Sequence, residues 1–193
     1  MNICLIRHGE TDWNAIGKLQ GREDIPLNDN GKLQAEKCAL SLKNGNWKAI
    51  YTSPLLRARQ TADILARILG VHEVRENIDL IERDYGMASG LTVEERKKLF
   101  PDGVYKDIED WYVLRDRVYG AILRSADELP SDDIIIVSHG SAINSILAEL
   151  SNHAIGTGKT RLKNACMNML KYKNQLLSIV FYNKSADELS YPL

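Results

Sequence analysis

The chain has 193 residues, of which 44% are hydrophobic and 26% charged, a composition that excludes disorder over most of its length. Its 25 basic and 26 acidic residues give a net charge of −1, so it lacks the basic excess typical of proteins that bind nucleic acid or anionic membranes. We expect a protein of the reducing cytoplasm, because we find no secretion signal and no apolar stretch of membrane length, and Cys4, Cys38 and Cys166 are scattered.

Strands and helices are expected to alternate through the first third of the chain. The continuous apolar run at residues 3–6 predicts a strand covered on both faces, and residues 48–52 predict a second strand. A loop and an amphipathic helix lie between them. A further helix is expected to begin at Ser53, with this serine as N-cap, and to end at Gly70. A weak third strand is predicted near residues 72–75.

The middle of the chain is expected to be helical. Residues 83–130 contain no clear strand pattern and are predicted to form a helical lid, with helices at residues 92–99 and 107–129. The strongest strand pattern of the whole sequence, residues 134–137, comes next, and a helix to about Leu150 follows it.

The last part of the chain predicts an edge hairpin. Strand patterns at residues 165–172 and 176–182 are separated by a short polar turn, and residues 184–193 are polar and expected to be loose. We therefore predict one α/β domain over residues 1–193, a three-layer α/β/α fold. Its central sheet is expected to be mostly parallel, with an antiparallel edge strand.

Residues that could bind an anion follow three of the predicted strands. Arg7 and His8 end the first strand, Arg57 lies one turn into the helix after the second, and His139 and Gly140 follow the strongest strand. Ligands of open α/β sheets bind beyond the carboxyl ends of the strands, near helix N-termini. We therefore expect these residues to lie close together.

The positions of Arg57 and His139 favour a phosphate site. A cation at a helix N-terminus faces the positive end of the helix dipole, which costs about 0.3–1 kcal/mol unless an anion compensates it. Taken singly, each arginine is compatible with a surface salt bridge, and each histidine with a buried structural role. Taken together, arginines, histidines and helix N-termini form the donor set that a phosphoryl dianion requires.

Other short motifs do not support competing functions. Residues 156–160 (GTGKT) resemble part of a nucleotide-binding loop, but the glycine that the full motif requires is replaced by His153, and a helix precedes the segment. We find neither a dinucleotide-binding GxGxxG after a strand nor the GxSxG motif of α/β-hydrolases. Cysteine and histidine spacing predicts no metal site.

Several motifs resemble those of the phosphoglycerate-mutase-like histidine phosphatase superfamily. They are residues 5–14 (LIRHGETDWN), 20–27 (QGREDIPL), 30–31 (NG), 51–62 (YTSPLLRARQTA), 82–86 (ERDYG) and 138–140 (SHG). The motifs occur in the family's order and span most of the chain. The resemblance implies the phosphoglycerate-mutase-like version of the three-layer fold.

The resemblance also implies a role for each matching residue. His8 would attack phosphorus and carry the phosphoryl group, while Glu82 would act first as general acid and then as general base. The residues implied to bind the phosphoryl oxygens are Arg7, Arg57 and His139, assisted by Asn14 and the Gly140 amide. The remaining residues implied to bind phosphate or flank the substrate are Thr11, Gln20, Gly21 and Tyr85.

Elementary chemistry agrees with these roles. A nucleophilic imidazole must be neutral, and Arg7 and Arg57 would lower the pKa of His8. We expect a backbone carbonyl near Gly9 to hold the proton on the other ring nitrogen of His8. Because Glu82 must hold a proton to act as an acid, we expect kcat to fall as pH rises.

The lengths of the segments favour a phosphatase over a mutase. Mutases of the family carry additional basic segments after the Glu82 motif, which this chain lacks, although Tyr85 and Gly86 resemble the mutases. We predict metal-independent hydrolysis of a small phosphorylated metabolite without a cofactor, with residues 156–163 at the rim of the site. The alternatives are a cofactor-dependent phosphoglycerate mutase and a non-catalytic phosphate-binding domain. The sequence leaves open whether the chain forms a homodimer.

Overall fold

A six-stranded mixed sheet forms the centre of the protein, as the computed structural model shows for residues 1–189. The strands are β1 (Asn2–Arg7), β2 (Trp47–Thr52), β3 (Val74–Glu76), β4 (Asp133–Ser138), β5 (Met167–Lys173) and β6 (Leu176–Lys184). Their order is β3-β2-β4-β1-β5-β6, and the first four are parallel. Strands β5 and β6 are antiparallel and form one side of the sheet. The predicted fold class is thus confirmed.

Helices cover both faces of the sheet. They are α1 (Asp12–Ala15), α2 (Asp29–Ser41), α3 (Leu56–Leu69), α4 (Val93–Leu99), α5 (Trp111–Glu128) and α6 (Gly140–Leu150). Short 3₁₀ turns occur at Ile78–Leu80, Gly86–Ala88 and Ala186–Glu188. Within residues 1–189, we find no helix with the length and apolar character needed to cross a membrane.

The side chains of the central strands alternate between the two faces of the sheet and form one hydrophobic core on each face. Ile3 and Leu5 of β1 belong to the core beneath α5 and α6, whereas Cys4 and Ile6 belong to the core beneath α2 and α3. Side chains of a strand point alternately to the two faces of the sheet, and both faces are covered here. This arrangement explains why residues 3–6 are continuously apolar.

Several predicted boundaries were wrong by two or more residues, including two helix starts. Helix α3 begins at Leu56, not at Ser53, and the Asp24 carboxylate accepts a hydrogen bond from the Leu56 amide at 2.6 Å. Helix α5 begins at Trp111, not at residue 107, because the Asp110 carboxylate caps the amides of residues 112 and 113. The third strand is shifted to Val74–Glu76.

Two segments that we expected to be loop or loose tail contain regular secondary structure. The loop after β1 contains the short helix α1, where Thr11 and Asn14 form a reciprocal capping box. Residues 184–189 complete β6 and form a capped 3₁₀ turn, and Glu188 pairs with Lys163 at 2.6 Å. The rest of the predicted tail, residues 190–193, lies outside the described residues.

The carboxyl ends of β1, β2 and β4 meet at one edge of the sheet. Strand β4 lies between the other two, and Arg7 pairs with Ser138 in register. The chain continues the pairing beyond the strands, since the His8 amide donates to the Ser138 carbonyl at 3.0 Å and the Ser53 amide donates to the Val137 carbonyl at 3.1 Å. Sheet topology therefore brings residues 8, 53 and 139 together.

Candidate active site

A cavity of about 680 Å³ opens at this edge of the sheet. The sequence-predicted residues that line it are Arg7, His8, Asn14, Gln20, Gly21, Arg57, Glu82, Tyr85 and Gly140. Thr11 and His139, which were also predicted, lie behind the wall, and both side chains are fully buried. Residues far apart in the chain thus converge on one pocket.

His8 is held in a single orientation on the cavity wall. Its Nδ1 lies 2.6 Å from the Gly9 carbonyl oxygen, which can only accept, so Nδ1 carries the proton. The Nε2 atom is consequently the unprotonated nitrogen of the ring. Burial lowers the pKa of His8 well below 6.5, and the charges of Arg57 and Arg7 lower it further. The prediction of a carbonyl partner near Gly9 is confirmed, and the imidazole is neutral at physiological pH.

Both arginines are oriented by backbone carbonyl groups. Arg57, only 1% exposed, donates from Nη1 to the Glu23 carbonyl at 2.6 Å and from Nη2 to the Gly21 carbonyl at 2.8 Å. Arg7 donates from Nη1 to the Leu162 carbonyl at 2.5 Å. Within residues 1–189, the buried Nε atom of each arginine has no partner. Burial lowers the pKa of Arg57 to about 10, so its guanidinium remains charged at neutral pH.

His139 packs against His8 with 5.3 Å between the ring centroids. Its Nε2 lies 2.8 Å from the Ser53 hydroxyl, and its buried Nδ1 has no partner in the described part of the chain. Burial lowers the pKa of His139 well below 6.5, and Arg57 and His8 contribute in the same direction. We expected Ser53 to cap a helix; the structure instead pairs it with His139, a contact between distant residues that local sequence does not reveal.

The Glu82 carboxylate sits at the N-terminus of α6. Its Oε1 accepts from the Ala142 amide at 3.0 Å and from the Arg83 amide at 2.9 Å, and its Oε2 accepts from the Ser141 amide at 3.1 Å. Gly140 lies directly beside it, where an added Cβ would be 3.8 Å from Oε2 and 3.6 Å from the Nε of Arg7. The carboxylate is therefore fixed on the cavity wall beside a guanidinium group.

Thr11 was predicted to bind phosphate, but it does not line the cavity. It supports the cavity wall from behind. Its hydroxyl lies 3.0 Å from the Gln20 side-chain oxygen and accepts from the Asn14 amide at 3.2 Å. Asn164 donates to the side-chain oxygen of Asn14 at 3.1 Å and to the His8 carbonyl at 3.3 Å. This network ties the loop after β1 to the segment before β5.

Gly21 and Tyr85 lie side by side on the cavity wall, and Tyr85 contacts the N-terminus of α6. Gly21 has a positive φ of 53°, and a Cβ at this position would come within 2.8 Å of the Ser89 hydroxyl. Tyr85 bonds to the hydroxyl of Ser141. Burial and the charge of Glu82 raise the pKa of Tyr85, so its hydroxyl is neutral and can donate.

Further basic and polar side chains line the mouth of the cavity. We call Lys18, Lys159, Arg161 and Lys163 the basic rim. Residues 158–164 line the cavity, which agrees with the rim expected at residues 156–163, but Lys18, Ser141 and Asn144 were missed. Asn144 donates to the Thr160 carbonyl at 2.9 Å, while its buried Oδ1 has no partner within residues 1–189. Among these residues, we find no group of three or more His, Cys, Asp or Glu side chains arranged to hold a metal ion.

Comparison with known proteins settles the family. The model of the histidine phosphatase superfamily (branch 1) matches residues 3–185. The chain belongs to this superfamily. It is 41% identical to the uncharacterized phosphatase PhoE of Bacillus subtilis strain 168, over 94% of this chain and 93% of the relative.

Two further relatives carry more specific names. A metal-independent phosphoserine phosphatase of Arabidopsis thaliana is 33% identical, over 90% of this chain and 77% of its own length. A crystal structure of a phosphoserine phosphatase from Entamoeba histolytica in complex with 3-phosphoglyceric acid superposes with a TM-score of 0.83 at 30% identity, over 97% of this chain and 99% of the other. This member of the superfamily is a phosphatase, a phosphoric monoester hydrolase.

Proposed function

We propose that the protein hydrolyses small phosphate monoesters without a metal ion, through a phosphohistidine on His8. One observation carries this proposal: the Gly9 carbonyl holds the proton on Nδ1 of a buried, neutral His8, so that Nε2 is available as the nucleophile beside Arg7 and Arg57. A covalent intermediate divides one difficult displacement into two easier ones.

The first step transfers the phosphoryl group to the enzyme. The lone pair of His8 Nε2 forms a bond to phosphorus while the bond between phosphorus and the ester oxygen breaks. Glu82, in its protonated form, gives its proton to the departing oxygen, and the alcohol leaves. The three backbone N–H groups around the Glu82 carboxylate fix its orientation for this transfer.

The second step returns the enzyme to its starting state. Glu82, now ionised, takes a proton from a water molecule, whose oxygen attacks phosphorus as the bond to Nε2 breaks. Inorganic phosphate leaves, and His8 regains its lone pair. The same carboxylate thus serves both steps, as microscopic reversibility requires.

Charge on the transferred group would be stabilised by donors that are already in place. The Nε atoms of Arg7 and Arg57 are buried and without a partner within residues 1–189, so they can donate to phosphoryl oxygens. Each bond of this charge-assisted kind contributes about 1.5–3 kcal/mol. Two guanidinium groups supply the positive charge that a metal ion provides in other phosphoryl-transfer sites, which supports metal independence.

His139 is proposed to donate from Nδ1 to the phosphoryl group. Donation by the Ser53 hydroxyl to Nε2 would leave the proton of the neutral ring on Nδ1. The Asn14 side chain and the Gly140 amide are proposed to assist, and both residues line the cavity.

The basic rim favours substrates with a second negative charge. Arg161 has no ion-pair partner among residues 1–189, whereas Lys163 is paired with Glu188. The unpartnered Oδ1 of Asn144 would accept a hydrogen bond from a hydroxyl or amino group of the substrate. Phosphoserine and 3-phosphoglycerate have these features, and the names of two relatives refer to them. We therefore propose a small phosphorylated hydroxy or amino acid as the substrate class, with Gln20, Gly21 and Tyr85 beside its carbon skeleton.

A substrate panel with phosphate release as the readout tests this proposal. Phosphoserine, 3-phosphoglycerate, ethyl phosphate and p-nitrophenyl phosphate should all release phosphate in the presence of EDTA, and the first two should have the highest kcat/KM. Loss of activity in EDTA that added metal restores would contradict metal independence. Conversion of 3-phosphoglycerate into 2-phosphoglycerate in place of phosphate release would favour a mutase.

A further inference from the structure

Arg117 of α5 uses all five of its N–H groups behind the Glu82 segment. Its Nη1 donates to the carbonyl oxygens of Asp79 at 2.8 Å and Ile81 at 2.6 Å, and its Nη2 donates to the carbonyl oxygen of Glu82 at 3.0 Å. Its Nε and Nη2 also donate to the two carboxylate oxygens of Glu109 at 2.7 and 2.9 Å. The guanidinium therefore holds the backbone on which the proposed general acid is mounted.

Glu109 extends this arrangement to the other side of Glu82. Its carboxylate accepts from the Asp84 amide at 3.1 Å, and its own amide donates to the Asp84 carbonyl at 2.9 Å. Its carbonyl oxygen accepts from Nε of Arg83 at 2.9 Å. The Arg117 side chain is 15% exposed and that of Glu109 is 8% exposed, so solvent screens this ion pair weakly.

Arg117 and Glu109 hold the backbone on both sides of Glu82, but they do not extend into the cavity. Neither Arg117 nor Glu109 is among the residues that line it. The Glu82 carboxylate is held from one side by amides of α6, while its main chain is held from the other side by Arg117. A displacement of about 1 Å at a reacting group can reduce a rate by about 100-fold, so such support has catalytic consequences.

We propose that Arg117, braced by Glu109, is a positioning residue that aims the Glu82 carboxyl group at the departing oxygen of the substrate. The inference rests on the proposed role of Glu82. A lysine could not replace the arginine, because one ammonium group cannot bond to three carbonyl groups and both oxygens of a carboxylate in this planar arrangement.

Leaving-group dependence separates this role from a general loss of stability. Ethyl phosphate has a poor leaving group that needs a proton from Glu82, whereas p-nitrophenyl phosphate has a good one that needs little help. The value of kcat/KM reports the steps up to release of the alcohol, so it excludes hydrolysis of the phosphohistidine. We would measure it for both substrates in the wild type, Glu82→Gln, Arg117→Lys and the control Arg124→Lys. Arg124 lies on the same helix, and within residues 1–189 its ion-pair partner is the side chain of Asp79, at 2.5 Å.

The expected result is a selective loss. Arg117→Lys should lower kcat/KM by about 10- to 100-fold for ethyl phosphate and by less than about 3-fold for p-nitrophenyl phosphate. Glu82→Gln should show the same selectivity with a larger loss. Arg124→Lys should change neither value. If Arg117→Lys does not fold, Glu109→Gln should show the same selectivity with a smaller loss.

Two results would overturn the positioning role of Arg117, and they can be distinguished from a failure of the role proposed for Glu82. Equal losses on both substrates, or no loss, in Arg117→Lys would contradict a positioning role while Glu82→Gln still shows the selective pattern. If Glu82→Gln itself lacks selectivity, the assignment of Glu82 as general acid fails, and the role of Arg117 fails with it.

Discussion

The floor of the cavity, which consists of Arg7, His8 and Arg57, and the basic rim both carry positive charge, but they are built differently. On the floor, Arg57 is buried and its guanidinium is held by two backbone carbonyl groups. On the rim, the ammonium group of Lys159 donates to the His153 carbonyl and that of Lys163 donates to Glu188, both at exposed positions. Arg161 is exposed and has no ion-pair partner in the described residues.

The difference separates two tasks. Donors that are buried and fixed before the substrate arrives can stabilise developing charge without reorganisation. Exposed cations are screened by water and contribute little energy, although they can attract and select an anionic substrate. We therefore expect changes on the floor to affect the rate of chemistry strongly, and changes on the rim to affect mainly the choice of substrate.

The largest effect is expected from removing the proposed nucleophile on the floor. His8→Ala should lower kcat by at least about 10⁴-fold, because no other group can carry the phosphoryl group. The thermal midpoint of unfolding should show that the variant is folded. His72 is an exposed histidine away from the cavity, and His72→Ala should retain full activity. Substantial turnover by His8→Ala would remove the basis for the floor's catalytic role.

A conservative change on the floor should have the next largest effect. The compact ammonium group of Arg57→Lys cannot reproduce the planar guanidinium that reaches both carbonyl groups and phosphate at once. We therefore expect vanadate to bind about 10- to 150-fold more weakly, which corresponds to one charge-assisted bond. Arg59→Lys is a matched control, because Arg59 is on the same helix but pairs with Asp63 and Glu76 at the surface. The inhibition constant of vanadate would be measured for both variants. Equal constants for Arg57→Lys and Arg59→Lys would contradict the contrast between buried and exposed cations.

On the rim, Arg161→Gln should change selectivity more than rate. We expect KM for 3-phosphoglycerate to rise by about 1.5- to 5-fold, as for one exposed ion pair, while KM for p-nitrophenyl phosphate stays unchanged. Lys171→Gln, at an exposed site on β5 where Lys171 bonds to Asn2, should alter neither constant. A similar rise in KM for both substrates would show that the rim does not select for a second charge.

The smallest effect concerns stability and acidity. The pKa values of His8 and His139 lie well below 6.5 in the folded protein, so the unfolded chain takes up more protons as pH falls below this value. Their neutral burial therefore costs stability in acid, by up to about 1.4 kcal/mol per pH unit for each histidine. Urea unfolding in phosphate-free buffer at pH 7.5, 6.5 and 5.5 measures this. Between pH 6.5 and 5.5, the free energy of unfolding of His8→Asn should fall less steeply than that of the wild type. An equal slope in the two proteins would contradict burial of His8 in its neutral form.

Much of the fold and of the floor could be predicted because local signals specify them. The apolar run at residues 3–6 identifies a central strand, and the carboxyl ends of parallel strands meet at one edge. These two facts suffice to place Arg7, His8 and His139 close together. The Gly9 carbonyl partner of His8 was also predictable, because a nucleophilic imidazole needs its second nitrogen fixed.

The remaining features depend on contacts between distant segments. The hydroxyl of Ser53 bonds to His139, and Asp24 caps the helix that Ser53 was expected to cap. Arg117 acts on backbone carbonyl groups about thirty-five residues away, which carry no side-chain signal in the sequence. The same holds for the unpartnered Oδ1 of Asn144, whose environment exists only in the folded chain.

Trapping the covalent intermediate tests the central claim most directly. The enzyme would be mixed with p-nitrophenyl phosphate, quenched in alkali within milliseconds, digested, and analysed by mass spectrometry for peptides that carry a phosphoryl group. We predict a phosphoryl group that is stable in alkali and labile in acid, located on His8 and absent from His8→Ala. A phosphoryl group on another residue, or steady turnover with none detectable at any time, would contradict the account.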